Sequence, residues 1–196
     1  MITQYRQVVL HADKLLPVMH VLHDSMLFDT NLLNMFGGGT PLFRLFTDRF
    51  ESSVHQLLTD GSCYGYYEDD RLIGVILAFD YDAWCYSKRK VVNTLFANED
   101  DPGFCQKHSN DVRNFLDAQT TPTLYIWKLA VLPGYNDRGF ENRLLTSMCA
   151  EFDETHCIIA DMSTRGQNNV FIDKGFKLYH QSDATIARKL GVGKWM

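Results

Sequence analysis

The sequence has no apolar run that approaches the roughly 18 residues needed to span a membrane. Its first residues, MITQYRQ, lack the charged-then-apolar build of a signal peptide. It also has no C-x-x-C pair, and its five cysteines are scattered along the chain. These absences argue against a disulfide framework and against a zinc ribbon. We therefore expect reduced cysteines that mostly fill core space, in a protein of the cytoplasm.

An excess of basic residues is also missing. Lys+Arg 19 against Asp+Glu 24 gives a net charge of −5. This balance argues against a general binder of nucleic acid or of anionic membranes, and it suits a cationic partner. The 196 residues contain 45% apolar and 13% aromatic residues, which is enough for a real core. Without an internal repeat or a low-complexity segment, we expect a single domain over residues 1–196.

Hydrophobic periodicity predicts strands and helices in mixed order, and so an α+β layer with one central sheet. The predicted strands are 3–9, 63–67, 72–79, 123–132, 157–161, 176–180 and 184–190. Helices are predicted over 15–26, from Pro41 to about residue 58, over 84–96 and 107–119, from Phe140 to about residue 152, and over 167–174. Residues 81–122 form a long polar insertion, which we expect to pack over a site or a sheet edge.

The segment most informative about chemistry is WKLAVLPGYNDRGFENRLL, residues 127–145. It predicts a strand, a proline turn, and a short polar loop in which Gly139 opens a helix. Backbone N–H groups converge at such a helix start, and the helix dipole adds about half a positive charge there. An anion such as a pyrophosphate binds at such a terminus without basic side chains. The same residues also serve as plain helix caps, so the pattern alone leaves both interpretations open.

The segment resembles the GNAT superfamily of N-acetyltransferases. The strand end LAV-x-P (residues 129–133) and the following Tyr135 match that family, and NDRGFE (residues 136–141) matches part of its Gln/Arg-x-x-Gly-x-Gly/Ala motif. FIDKGF (residues 171–176) is similar to a YEKxGF-type segment of the family, and ATIARKL (residues 184–190) to its closing strand. The resemblance implies a GNAT-like fold whose mostly antiparallel, mixed sheet is splayed between strands 123–132 and 157–161.

The resemblance also implies an acyltransferase that moves an acetyl group from acetyl-CoA directly to a primary amine of a small molecule or peptide, as a monomer or homodimer and with no metal. Main-chain groups of Leu129 and Val131 would pair with the pantetheine, and the amides of residues 136–141 would hold the pyrophosphate. The residues thus assigned to the cofactor are Leu129, Val131, Asn136, Asp137, Arg138, Gly139, Phe140, Glu141, Asn142 and Phe171.

Three residues of these segments depart from the family pattern, and Asn136, where Gln or Arg is usual, matters least because the phosphate is bound mainly by backbone. Glu141 stands where Gly or Ala is usual, and its carboxylate would be unfavourable beside a pyrophosphate unless Arg138 and Arg143 offset it. Phe171 stands where a tyrosine often protonates the leaving thiolate, and a phenyl ring cannot donate a proton. These departures favour an alternative, in which the fold binds acyl-CoA or another ligand without catalysis or serves as an interaction module.

Candidates for acid and base catalysis come from strand ends and strand interiors. Tyr125 falls where some family members carry a catalytic glutamate, and its hydroxyl, like that of Tyr179, could replace the missing acid. Asp161 ends the predicted strand 157–161, and Asp80 follows the predicted strand 72–79. We expect Asp161 and Asp80 to face the cleft, although turn residues at strand ends are an equally ordinary interpretation.

Overall fold

The computed structural model describes residues 4–26, 40–83, 103–136, 138–152, 156–162, 170–181 and 189–193. Its strands are β1 (Tyr5–Val9), β2 (Ser62–Glu68), β3 (Arg71–Asp80), β4 (Thr123–Val131), β5 (Cys157–Met162), β6 (Lys177–Gln181) and β7 (Lys189–Gly193). Its helices are α1 (Leu15–Met26), α2 (Thr40–Asp60), α3 (Gly103–Asp117) and α4 (Phe140–Glu151), with a short 3-10 turn at Ala12–Lys14.

The seven described strands form one sheet in the order β1-β2-β3-β4-β5-β7-β6. The pairing is antiparallel throughout except between β4 and β5, which run parallel. The predicted α+β class and the mostly antiparallel, mixed sheet are therefore confirmed.

The centre of the sheet is buried because its strands are almost continuously apolar. In β3 every residue from Leu72 to Phe79 is buried, so both faces of this strand are covered. Helices α1, α2 and α4 contact it. Helix α4 buries an amphipathic stripe that includes Phe140, Leu144 and Met148, and it packs on β2, β3 and β4. This packing fixes the start of α4 relative to the end of β4.

Most predicted elements are confirmed within a few residues, including the β2–β3 hairpin and the strand-to-helix unit β4–α4. The helix predicted over 107–119 is α3, which begins at Gly103. The closing strand was predicted over 184–190, whereas β7 covers Lys189–Gly193. Residues 182–188, the helix predicted over 84–96 and Gln167–Asn169 lie outside the described residues.

Candidate functional site

Strands β4 and β5 are paired along only part of their length. The parallel ladder joins Thr123 to Cys157 and ends where Ile126 meets Ala160. Beyond this point β4 continues along β3 to Val131, while β5 continues along β7 to Met162. We call the region between residues 127–131 and 161–162 the β4/β5 split. The splay predicted between these two strands is therefore confirmed.

The main chain of β4 turns alternate residues toward the β4/β5 split. The N–H of Leu132 donates a hydrogen bond to the carbonyl of Ile73, at 2.8 Å, so this residue faces β3. Because successive residues of a strand direct their N–H and C=O groups to opposite sides, Ala130 also faces β3. Leu129 and Val131 then face the side from which β5 has diverged. This is the orientation in which an extended, amide-containing ligand meets their main-chain groups.

Helix α4 begins at the same end of β4. Its N-cap, Gly139, has φ 77° and supplies no side-chain cap. The first helical bond runs from the N–H of Arg143 to the carbonyl of Gly139, at 3.1 Å. The amides of residues 140–142 precede that bond and are donors that the helix itself cannot satisfy. A Cβ placed on Gly139 would meet nothing within 4 Å among the described residues, so the positive φ and not crowding favours glycine here. The site fits an anionic group.

Charged side chains near this terminus lie against aromatic rings. The guanidinium of Arg138 stacks over the ring of Tyr135, 5.0 Å from its centre. Arg143 donates from Nη1 to the hydroxyl of Tyr66, at 2.8 Å. Glu141 is half-buried in the first turn of α4. The two arginines are thus held beside the terminus, where they lower the local negative charge.

The other residues assigned to the cofactor on this segment are placed by the fold as follows. Asn136 and Asn142 are exposed on either side of Gly139, and the ring of Phe140 is buried beneath the start of α4. Asp137 lies outside the described residues.

The loop between β4 and α4 adjoins an acidic and aromatic cluster that no sequence pattern indicates. The carboxylate of Glu68 accepts hydrogen bonds from the hydroxyls of Tyr5, at 2.8 Å, and of Tyr135. These two bonds, with the nearby charges of Arg138 and Arg71, lower the pKa of Glu68. The same bonds raise the pKa of Tyr135 and of Tyr5. Glu68 falls between the predicted strands 63–67 and 72–79, where an acidic residue is ordinarily part of a turn.

Asp161 lies at the mouth of the β4/β5 split. It is the first residue of β5 beyond the shared ladder, and its main chain pairs with Leu190 of β7. Its side chain is outside the described residues. Tyr125, by contrast, lies within the ladder opposite Ile159; its ring is buried and meets Phe79 edge-on at 5.4 Å.

The structure places Asp80 away from the β4/β5 split, contrary to the expectation that it faces the cleft. Because β3 and β4 are antiparallel, the end of β3 meets the start of β4, and Asp80 pairs with Leu124. Its carboxylate accepts a hydrogen bond from the N–H of Ala83, at 2.9 Å, as a turn residue does. We therefore leave Asp80 out of the proposed site.

Phe171 is a core residue in this structure. Its ring is 1% exposed and packs edge-on against Phe176, with centroids 5.0 Å apart. The turn that follows passes through Gly175, at φ 83°, and returns the N–H of Phe176 to the carbonyl of Phe171. This burial assigns Phe171 to packing rather than to cofactor contact.

Three further features of the described residues bear on other functions. No group of three or more His, Cys, Asp or Glu side chains among them could hold a metal ion. No helix within the described ranges is long and apolar enough to cross a membrane. Cys63, Cys149 and Cys157 are buried and form no disulfide among the described residues, and burial raises the pKa of the Cys63 thiol to about 12.

No family model and no curated relative matches the sequence. Solved structures do match it, at low identity. Arylalkylamine N-acetyltransferase 2 from Aedes aegypti superposes with a TM-score of 0.66 at 14% identity, covering 97% of this chain and 99% of that one. Drosophila melanogaster polyamine N-acetyltransferase, an enzyme that forms N-acetylagmatine, gives 0.61 at 13% identity, covering 98% and 100%.

A third matching structure contains coenzyme A. PaiA N-acetyltransferase from Thermoplasma acidophilum, in complex with coenzyme A, gives a TM-score of 0.55 at 11% identity, covering 98% of this chain and 99% of that one. Similarity at this level of identity concerns the fold. This chain has the fold of the GNAT superfamily of N-acetyltransferases.

Proposed function

We propose that the chain is a cytoplasmic, single-domain N-acetyltransferase that moves an acetyl group from acetyl-CoA to a primary amine. One observation carries the proposal: the β4/β5 split and the N-terminus of α4 lie at the same end of β4. The first offers main-chain partners to an amide-containing chain, and the second offers amides to a pyrophosphate. Acetyl-CoA contains both groups joined in this order.

The proposed chemistry needs little beyond positioning and one polarised carbonyl. Main-chain groups of Leu129 and Val131 align the pantetheine, and an N–H there polarises the thioester carbonyl, a role worth about 3 kcal/mol in other enzymes. The amine nitrogen attacks the carbonyl carbon, the C–S bond breaks, and the nitrogen loses a proton. The released thiolate takes up a proton from solvent, which its ordinary pKa of about 8.5 permits. Proximity supplies much of the rate.

For the proton on the attacking amine, we propose Asp161 as the acceptor, directly or through water. The reason is its position: it is the first residue of β5 beyond the last pair shared with β4, where the acetyl group would enter. Tyr125 is buried within the ladder, so we assign it a packing role.

The acceptor is proposed to be a small amine. Structures with this fold act on arylalkylamines and polyamines, and the net charge of −5 suits a cationic acceptor. A panel of agmatine, polyamines, arylalkylamines and peptide N-termini covers these classes. The purified protein is mixed with acetyl-CoA and each amine, and release of free CoA thiol is followed. Turnover of at least one amine is expected; no turnover and no CoA binding would reject the proposal.

A second candidate function is a module with the same fold that binds acyl-CoA without catalysis. It is favoured by Phe171, which is buried and has no hydroxyl to protonate a leaving thiolate. Thermal unfolding with and without acetyl-CoA separates the two candidates. Ligand at about 100 times its Kd stabilises a protein by about 2.7 kcal/mol, a shift of a few degrees. A shift without turnover of any amine selects the binding module.

Replacing Glu141 tests the fit of the helix terminus to a pyrophosphate. The carboxylate lies in the first turn of α4, so Glu141→Gln removes a like charge and Glu141→Gly removes bulk as well. We expect both variants to lower the Kd for CoA, by about three- to tenfold, in calorimetric titrations. Glu151→Gln, at the other end of the same helix, is the control and should leave the Kd unchanged. Unchanged or weaker binding by both Glu141 variants contradicts this account.

A further inference from the structure

We propose that Glu68 is a positioning residue: through Tyr135, its carboxylate holds the described loop residues 132–136 and 138–139 in the conformation that presents the N-terminus of α4 to the pyrophosphate. This inference rests on the proposed function for its ligand. It concerns a residue far along the chain from the loop, in the β2–β3 hairpin. We call Glu68 and Tyr135 together the carboxylate clasp; Tyr5, on β1, donates to the same carboxylate but is not on the loop.

The base of the clasp is firmly held. Glu68 is the last residue of β2, and it pairs with Tyr5 of β1 on one side and with Arg71 of β3 on the other. The hairpin turn that follows is tied to β1 as well. The N–H of Asp69 donates to the carbonyl of Gln4, and the N–H of Gln4 donates to the carboxylate of Asp69, at 2.8 and 2.9 Å. The main chain of Glu68 is therefore fixed by β1 and β3 on either side of it and by the tied hairpin turn after it.

The loop is linked to the clasp at the residue that organises it. The N–H of Tyr135 donates to the carbonyl of Leu132, and its own carbonyl accepts from the N–H of Arg138. Its ring carries the guanidinium of Arg138 and meets the ring of Phe140, the first residue of α4, at 6.0 Å. The position of Tyr135 therefore sets the path of the loop on both sides and the approach to α4.

Charge and positioning predict opposite changes in the affinity for CoA when the carboxylate of Glu68 is neutralised. The groups that face Glu68 are the hydroxyls of Tyr135 and Tyr5 and the cations Arg138 and Arg71, which lower its pKa. If charge alone mattered, neutralising a carboxylate near a polyanion site would strengthen CoA binding. If Glu68 positions the loop, its neutralisation weakens binding, because a smaller fraction of the protein holds the loop ready for the ligand.

The binding experiment compares three conservative single variants and one double variant. Glu68→Gln and Tyr135→Phe each weaken the bond that reaches the loop, and we expect each to raise the Kd for CoA by about fivefold. The double variant should have a Kd no higher than that of the weaker-binding single variant, because the two substitutions remove the same contact. Tyr5→Phe is the matched control, since it removes the other hydroxyl that donates to the same carboxylate. It should change the Kd by less than about twofold. Unchanged or tighter binding by Glu68→Gln and Tyr135→Phe overturns the inference.

A second measurement needs no ligand and so separates this inference from the proposed function. Amide hydrogen exchange is measured by mass spectrometry on the unliganded variants. We expect exchange in residues 134–141 to be about fivefold faster in Tyr135→Phe and Glu68→Gln than in the parent chain. If the parent chain does not bind CoA, the proposed function fails while the exchange result still decides the role of Glu68. Unchanged exchange in this segment overturns that role.

Discussion

Replacement of Asp161 by Asn is expected to lower kcat for acetyl transfer by about 100-fold or more, as is typical for loss of a general base. The variant keeps the size of the side chain, and the residue pairs with β7 through its main chain, so the strand should be retained. The Kd for CoA should change by less than about twofold, because the proposed cofactor contacts lie on β4 and α4.

The matched control is Asp80→Asn. Asp80 lies at the other end of the sheet from Val131, and its carboxylate caps a turn through Ala83, a bond that the amide oxygen of Asn can still accept. This variant should keep kcat within about twofold of the parent chain. A loss of rate with Asp80→Asn and none with Asp161→Asn would place the base at the opposite end of the sheet.

The second large effect is on stability. Truncation of Phe171 to Ala is expected to lower the free energy of unfolding by about 3–5 kcal/mol. The ring is fully buried against Phe176, so its removal leaves a cavity. The measurement is urea unfolding followed by circular dichroism.

Phe171→Tyr, its matched partner, tests the alternative role directly. It introduces the hydroxyl that the family resemblance implies at this position. Because the ring is buried, we expect this hydroxyl to cost about 1–3 kcal/mol and to leave kcat unchanged. An increase in kcat without loss of stability would mean that the side chain reaches the acetyl group, and that Phe171 belongs to the site.

Local patterns predicted the part of the fold that local forces decide. The apolar strand β4, its proline stop and the amphipathic helix α4 follow each other within about 25 residues, so their order and their shared end could be deduced. The closing strand was predicted from the resemblance of residues 184–190 to that of the family. Lys189 and Leu190 do lie in β7, residues 184–188 lie outside the described residues, and β7 continues to Gly193 because it pairs with both β5 and β6.

The candidate site was less predictable because its geometry depends on long-range pairing. The antiparallel register of β3 and β4, which places Asp80 away from the β4/β5 split, cannot be deduced from either strand alone. Glu68 has partners 63 and 67 residues away in the chain, and no spacing rule connects them. Asp161 was selected because it ends the predicted strand 157–161, and the register adds that it is the first residue of β5 after the last pair shared with β4.

The short parallel ladder between β4 and β5 also has a consequence for how the molecule holds together. Four residue pairs connect the four-stranded portion β1–β4 with the three-stranded portion β5–β7. Beyond these pairs, among the described residues, β4 and β5 pair only with their other neighbours, so the β4/β5 split is where a bound chain could lengthen the shared ladder. A cofactor bound there would hydrogen-bond to β4 alongside the four pairs, and its binding would raise the free energy of unfolding by mass action.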